Sequence, residues 1–145
     1  MKILIIFAWI YLAMIALAFS ESYVEGRNAW DKGKVGWKIK IRKFKLTSYH
    51  FFMFVIMLPM LLFLPLVVYG WNTRLFGILI SAYLSGLVIE DFFWYIVNPV
   101  VKFRELYSDF SDYYPWVKIQ NRKIIPFGYI IWIVLAILSW LLLWR

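Results

Sequence analysis

The chain has no cysteine, one histidine and only eight acidic residues among 145. Without thiols there is no disulfide, no zinc-finger spacing, no iron–sulfur ligation and no thiol nucleophile, and redox compartment leaves no mark on the sequence. A single histidine, His50, is few for a catalytic zinc, which takes three protein ligands. Neither a Gly-x-Ser-x-Gly turn nor a second triad element accompanies it, so nucleophile-elbow hydrolases are excluded. Gly33 and Gly36 flank Lys34 in a basic turn that lacks the spacing of a phosphate-binding loop. Low-complexity tracts and internal repeats are absent, as is the similarity between halves that marks inverted-repeat transporters.

Apolar residues are what the chain has in excess. They make up 64% of it, aromatics 22%, and the mean hydropathy is +0.74, against an apolar share of about 45–50% in soluble domains. Four segments are apolar for about the 20 residues that a helix needs to cross the hydrocarbon of a bilayer: 3–19, 49–69, 75–97 and 127–144. Pro59 and Pro65 should bend the second. Asn98-Pro99 should stop the third, because the residue before proline is pushed out of the helical region. The expected fold is therefore all-α and integral to a membrane, a four-transmembrane-helix bundle forming one domain over residues 1–145. That length leaves no room for a separate catalytic domain.

Charge sets the expected orientation. Four spans place both termini and the 70–74 turn on one side and loops 20–48 and 99–126 on the other. Thirteen of the sixteen Lys and Arg fall in the two loops, and Lys2, Arg74 and Arg145 do not. Positive loops face the cytoplasm, so both termini are expected outside a plasma membrane. The formal charge of +8 then reads as attraction to anionic lipid rather than to nucleic acid. Lys2, an apolar core and Ala16-Leu-Ala18 or Ala18-Phe-Ser20 also resemble a cleavable signal peptide. Cleavage would export the basic 27–45 segment against the charge rule, so residues 1–20 are expected to stay as a helix.

In the first loop Val35, Trp37, Ile39 and Ile41 alternate with Lys38, Lys40 and Arg42, the two-residue period of a half-buried strand. Lys43 breaks that phase, as a bulge or turn would. This short amphipathic β-like segment offers Lys34, Lys38, Lys40, Arg42, Lys43 and Lys45 to lipid head groups. In the second loop Phe103, Leu106, Tyr107 and Phe110 recur at helical spacing, which predicts a short interfacial helix. Trp30, Trp37, Tyr49, Trp94, Tyr95, Tyr113, Tyr114 and Trp116 gather at the same boundary, as in an aromatic belt.

The residues that stand out are Glu90 and Asp91, inside the third apolar run. A central acid costs about 2.5–3.5 kcal/mol on insertion scales, and an ionisable residue at such a place is a functional candidate. Consecutive residues point about 100° apart on a helix. Ala82, Gly86 and Glu90 continue one row beside a small-residue row of Gly77, Ser81 and Ser85, the kind that lets helices approach closely. Glu90 is thus expected to be the deeper acid, with Asp91 sharing its other side with Asn98. His50 enters from the same side, as do Glu21 and Glu25, which Gly26 can follow as a left-handed helix cap.

Glu90, Asp91, His50 and Asn98 form the candidate polar cluster, and three readings of it stay open. The acids pair with Arg27, Arg42, Lys102 or Arg104 and fix the loops. Alternatively Glu21, Glu25, His50, Glu90 and Asp91 supply carboxylate and imidazole to Mn, Fe or Zn, though no Glu-x-x-His or His-Glu-x-x-His spacing occurs. Third, a protonatable acid relays protons or meets a lipid head group. Tyr49-His50, Glu25-Gly26 and the run Glu90 to Pro99 resemble patches of small, uncharacterised prokaryotic multi-span membrane proteins. That resemblance implies a prokaryotic membrane protein and carries no activity. The expected function is a membrane module that binds anionic lipid or a protein partner, with the acid and histidine cluster holding its loops. The alternatives are a metal-dependent membrane enzyme acting on a lipid-borne substrate, and an accessory subunit of a larger complex or homo-oligomer.

Overall fold

A computed structural model of the chain describes residues 2–41 and 44–145. Four helices are long and apolar enough to cross a membrane: α1 (Lys2–Glu25), α2 (Ser48–Tyr69), α3 (Thr73–Val97) and α4 (Phe127–Trp144). An antiparallel pair, β1 (Lys38–Ile41) and β2 (Phe44–Thr47), precedes α2. A second pair, β3 (Trp116–Ile119) and β4 (Arg122–Pro126), precedes α4. Helix α1 runs past the expected end at residue 19 to Glu25, where Gly26 takes φ +54° and its N–H closes on the Ser22 carbonyl at 3.0 Å. This is the left-handed cap that the sequence suggested.

Helix α3 is the hub, and small residues put it there. A methyl built on Gly77 would come within 2.5 Å of Leu143 Cβ in α4, and one on Gly86 within 3.0 Å of Met14 Cγ in α1. The Ser81 hydroxyl donates to the Ala136 carbonyl and that of Ser139 to the Gly77 carbonyl, each at 2.9 Å. The two bonds tie α3 to α4 reciprocally, in the manner of polar glue between membrane helices. Ser85, third in the small-residue row, instead meets Tyr11 of α1 at 2.8 Å. Between α1, α2 and α3 the core is Ile10, Met14, Leu66, Leu79, Ala82 and Tyr83.

Helix α2 is the least enclosed of the four, and its prolines shape it. Residues Phe51–Met57 are π-helical, and the Leu58 N–H reaches back five residues to the Met53 carbonyl. The next bond in that register would come from residue 59, but Pro59 has no N–H. The Phe54 carbonyl is thereby freed, and the Tyr83 hydroxyl of α3 donates to it. A second break falls at Phe63, ahead of Pro65.

The loops fold more than the sequence suggested. Strands β1 and β2 pair with Ile39 opposite Leu46 and Lys40 opposite Lys45, so the phase break at Lys43 separates two strands. Arg42 and Lys43 themselves lie outside the described residues. Gly36, at φ +107°, passes close to the start of α2, where a side chain would collide with the Ser48 hydroxyl. The interfacial helix expected around Phe103 is replaced by two 3-10 turns, Phe103–Tyr107 and Asp109–Ser111. The cause is Ser108, whose hydroxyl donates to the Glu105 carbonyl and accepts the Phe110 N–H, diverting the backbone from a continuous helix. The β3–β4 hairpin was not anticipated. Its signal was present in Gln120-Asn121, both at positive φ, the two-residue turn that suits a hairpin's twist.

Candidate functional site

Where α1 leaves the bundle and α3 approaches its end, two one-turn pairs confront each other: Glu21 with Glu25, and Glu90 with Trp94. Glu21, Glu90 and Trp94 are 7%, 5% and 4% exposed. The small neighbours Ala18 and Ser22, both fully buried, let the helices close over these acids. The Tyr49 hydroxyl, from the first turn of α2, donates to Glu21. Lys34 descends from the first loop onto Glu25, and both side chains are about nine-tenths covered. Glu90 lies near Glu21, and its Oε1 has no donor. The Trp94 indole N–H sits beside the Glu25 carboxyl but makes no hydrogen bond. Three carboxyls and one lysine thus share an enclosed space.

Glu90 is buried against protein as expected, but neither acid of α3 meets a basic side chain among the described residues. Of the bases expected to pair with them, Arg27 goes instead to Glu105 as a two-pronged clasp of 3.2 and 2.7 Å, and to the Val100 carbonyl. Lys102 and Arg104 point outward, and Arg42 is outside the described residues. The Arg27 guanidinium, helped by the Lys102 N–H, holds the Glu105 carboxyl down at about 2. Lys45 likewise lowers Asp31, which it meets at 2.9 Å.

Asp91 is compensated by neutral donors. The Tyr114 hydroxyl reaches Oδ1 at 2.5 Å, and the Tyr129 hydroxyl of α4 donates to Oδ2. Tyr113 donates on to Tyr114 at 3.4 Å, and Tyr95 meets Tyr113 at 2.5 Å. Burial, ahead of neighbouring charge, pushes the Tyr113 and Tyr114 hydroxyls well above the ordinary phenol range, so both remain donors. For Trp94, Tyr95, Tyr113, Tyr114 and Trp116 the expected aromatic belt is corrected here. Trp94 and Tyr95 are 4% and 1% exposed and form a second core with Ala18, Ala29, Val101 and Leu106, against which Tyr113, Tyr114 and Trp116 pack. Folded loops offer these rings more burial than a lipid interface does.

His50 and Asn98 do not join the carboxyls. The His50 Nδ1 meets the Thr47 hydroxyl at 2.7 Å, and its ring packs on Trp30 with centroids 4.3 Å apart. Asn98 caps α3: its Oδ1 accepts from the Val100 and Val101 N–H groups, and its Nδ2 donates to the Gly26 carbonyl. The set suggested for Mn, Fe or Zn is therefore divided among three places, and among the described residues no three His, Asp or Glu side chains converge as metal ligands. Of the head-group candidates, Lys34 and Lys45 are engaged with Glu25 and Asp31. Lys38 is exposed and donates to the Asp31 carbonyl at 2.7 Å, and Lys40 is exposed. Sequence reading missed the tyrosines that hold Asp91. Their only signal was Tyr113-Tyr114 in a polar loop.

No family model, curated protein or solved structure matches the chain. The functional reading rests on the geometry.

Proposed function

We propose that the chain is a small integral membrane module that spans the bilayer four times, with both termini outside, and rests its cytoplasmic loops on anionic lipid. The carrying observation is the two-faced first hairpin. Lys38 and Lys40 are exposed, while Ile39 is half exposed on the alternate face, and Trp37 continues that face onto Phe51 and Phe52 of α2 with ring centroids 5.6 and 6.3 Å apart. A ribbon that is cationic on one side and continuous with a lipid-facing helix on the other suits the head-group boundary. There each exposed cation contributes about 1 kcal/mol against an anionic surface.

On this reading the buried carboxyls hold the loops in place. Glu25 draws Lys34 inward, Glu21 takes the Tyr49 hydroxyl, and Asp91 takes hydroxyls from the second loop and α4. The hairpin's attitude is thereby fixed relative to the spans. The test compares thermal unfolding of reconstituted protein in zwitterionic vesicles and in vesicles with added anionic lipid. Wild type should melt higher with anionic lipid, the gain should fade at high salt, and Lys38→Gln/Lys40→Gln should lose it. Identical wild-type melting in the two lipids overturns the proposal.

A further inference from the structure

At the end of the bundle remote from the loops, the first turns of α1 and α3 border an open groove of about 400 Å³. Lys2, Arg74 and Asn72 stand at its rim, and Ile3, Ile6 and Leu75 form its walls. Among the described residues neither Lys2 nor Arg74 makes an ion pair. No Asp or Glu side chain is at hand to make one, because each of them lies either in the two loops or in the halves of α1 and α3 that adjoin them. The Asn72 Oδ1 is occupied by the Leu75 N–H at 2.8 Å, which leaves its amide N–H donors facing outward.

The order of chemistry along the groove matters. Ile3 and Leu75 directly follow Lys2 and Arg74, and Ile6 follows Lys2 by four residues, so the apolar wall runs from the charged rim to about 6 Å below it at 1.5 Å per residue. A free phosphate would satisfy the rim and leave that wall uncovered. A molecule with an anionic head and a hydrocarbon tail matches both, at the depth where such molecules stand in a bilayer.

We propose that this groove holds one phospholipid of the outer leaflet, with its phosphate between Lys2 and Arg74 and an acyl chain along Ile3, Ile6 and Leu75. This site rests on the reading that the four helices cross a bilayer, and it lies at the opposite surface from the hairpin. It gives the protein a lipid contact in each leaflet.

Native mass spectrometry of protein extracted in mild detergent tests it. Wild type should retain one phospholipid, and Lys2→Gln/Arg74→Gln should reduce the ratio of lipid-bound to lipid-free protein about tenfold, the factor that corresponds to 1.4 kcal/mol. Both side chains are exposed, so this variant should fold. Ile6→Trp keeps the cations and fills the groove, and should lose the lipid equally. Inorganic phosphate in excess should not displace it. Equal retention in wild type and the double variant, or displacement by inorganic phosphate alone, overturns the site while leaving the membrane reading intact. Recovery of the protein from cells without detergent would overturn both.

Discussion

At the scale of single residues, the buried carboxyls differ in how they are compensated, and so in how they answer to mutation. Glu25 has a lysine, so Lys34→Met should strand a buried charge and cost about 3 kcal/mol in thermal unfolding. Glu90 has no base and an oxygen without a donor beside Glu21. Glu90→Gln should therefore not lower the melting temperature, since its amide offers Glu21 a donor and carries no charge. A lower melting temperature in Glu90→Gln would show that its charge is compensated by something other than its protein neighbours. Tyr129→Phe and Tyr114→Phe each remove one donor to Asp91, at about 1–3 kcal/mol apiece.

Glu105 answers to pH instead. Its carboxyl is held at about 2 against an unfolded value of 4.5, so the clasp with Arg27 stabilises fully above the unfolded value and is lost as pH falls through about 2. The melting gap between wild type and Glu105→Gln should be widest near neutrality and close by about pH 2. Residue-scale roles were the least legible part of the sequence. That Glu90 is buried followed from its row with Ala82 and Gly86. That Asp91 is held by Tyr114 and Tyr129 did not, because those contacts depend on how a loop and a distant helix fold back.

At the scale of elements, the apolar runs spoke clearly and the loops did not. Hydropathy located all four helices, with ends misplaced where polar residues extend them, as Glu21 and Glu25 extend α1. Helical spacing around Phe103 misled because Ser108 competes for the backbone. The packing rows also predict a graded response to added volume. Gly77→Ala drives a methyl onto Leu143 Cβ, at the root of a side chain, whereas Gly86→Ala meets Met14 Cγ, midway along a flexible one. The first should lower the melting temperature clearly more than the second. Tyr83→Phe should loosen α2 alone, because it leaves the Phe54 carbonyl bare at Pro59, and hydrogen exchange in detergent should rise around residues 54–59.

At the scale of the whole molecule, the absence of cysteine is an experimental asset, since any introduced thiol is the only one. Trp71→Cys, in the exposed turn before α3, and Asn121→Cys, at the tip of the second hairpin, should react with an impermeant reagent from opposite faces of sealed vesicles. Labelling from the same face would refute the four-span topology. Charge asymmetry is what suggests this arrangement in the sequence, because thirteen cations share the two loops.

The bond from Asn98 to the Gly26 carbonyl has a bearing on biogenesis. This bond ties the end of α1 to the end of α3, although 72 residues separate the two partners. If the helices cross a bilayer, α1 is therefore made and inserted well before α3 can meet it, with only Lys34 and Tyr49 at hand for Glu25 and Glu21 in the interval. A ribosome stalled before residue 98 would hold a nascent chain whose first helix is still open to protease or to an insertion chaperone.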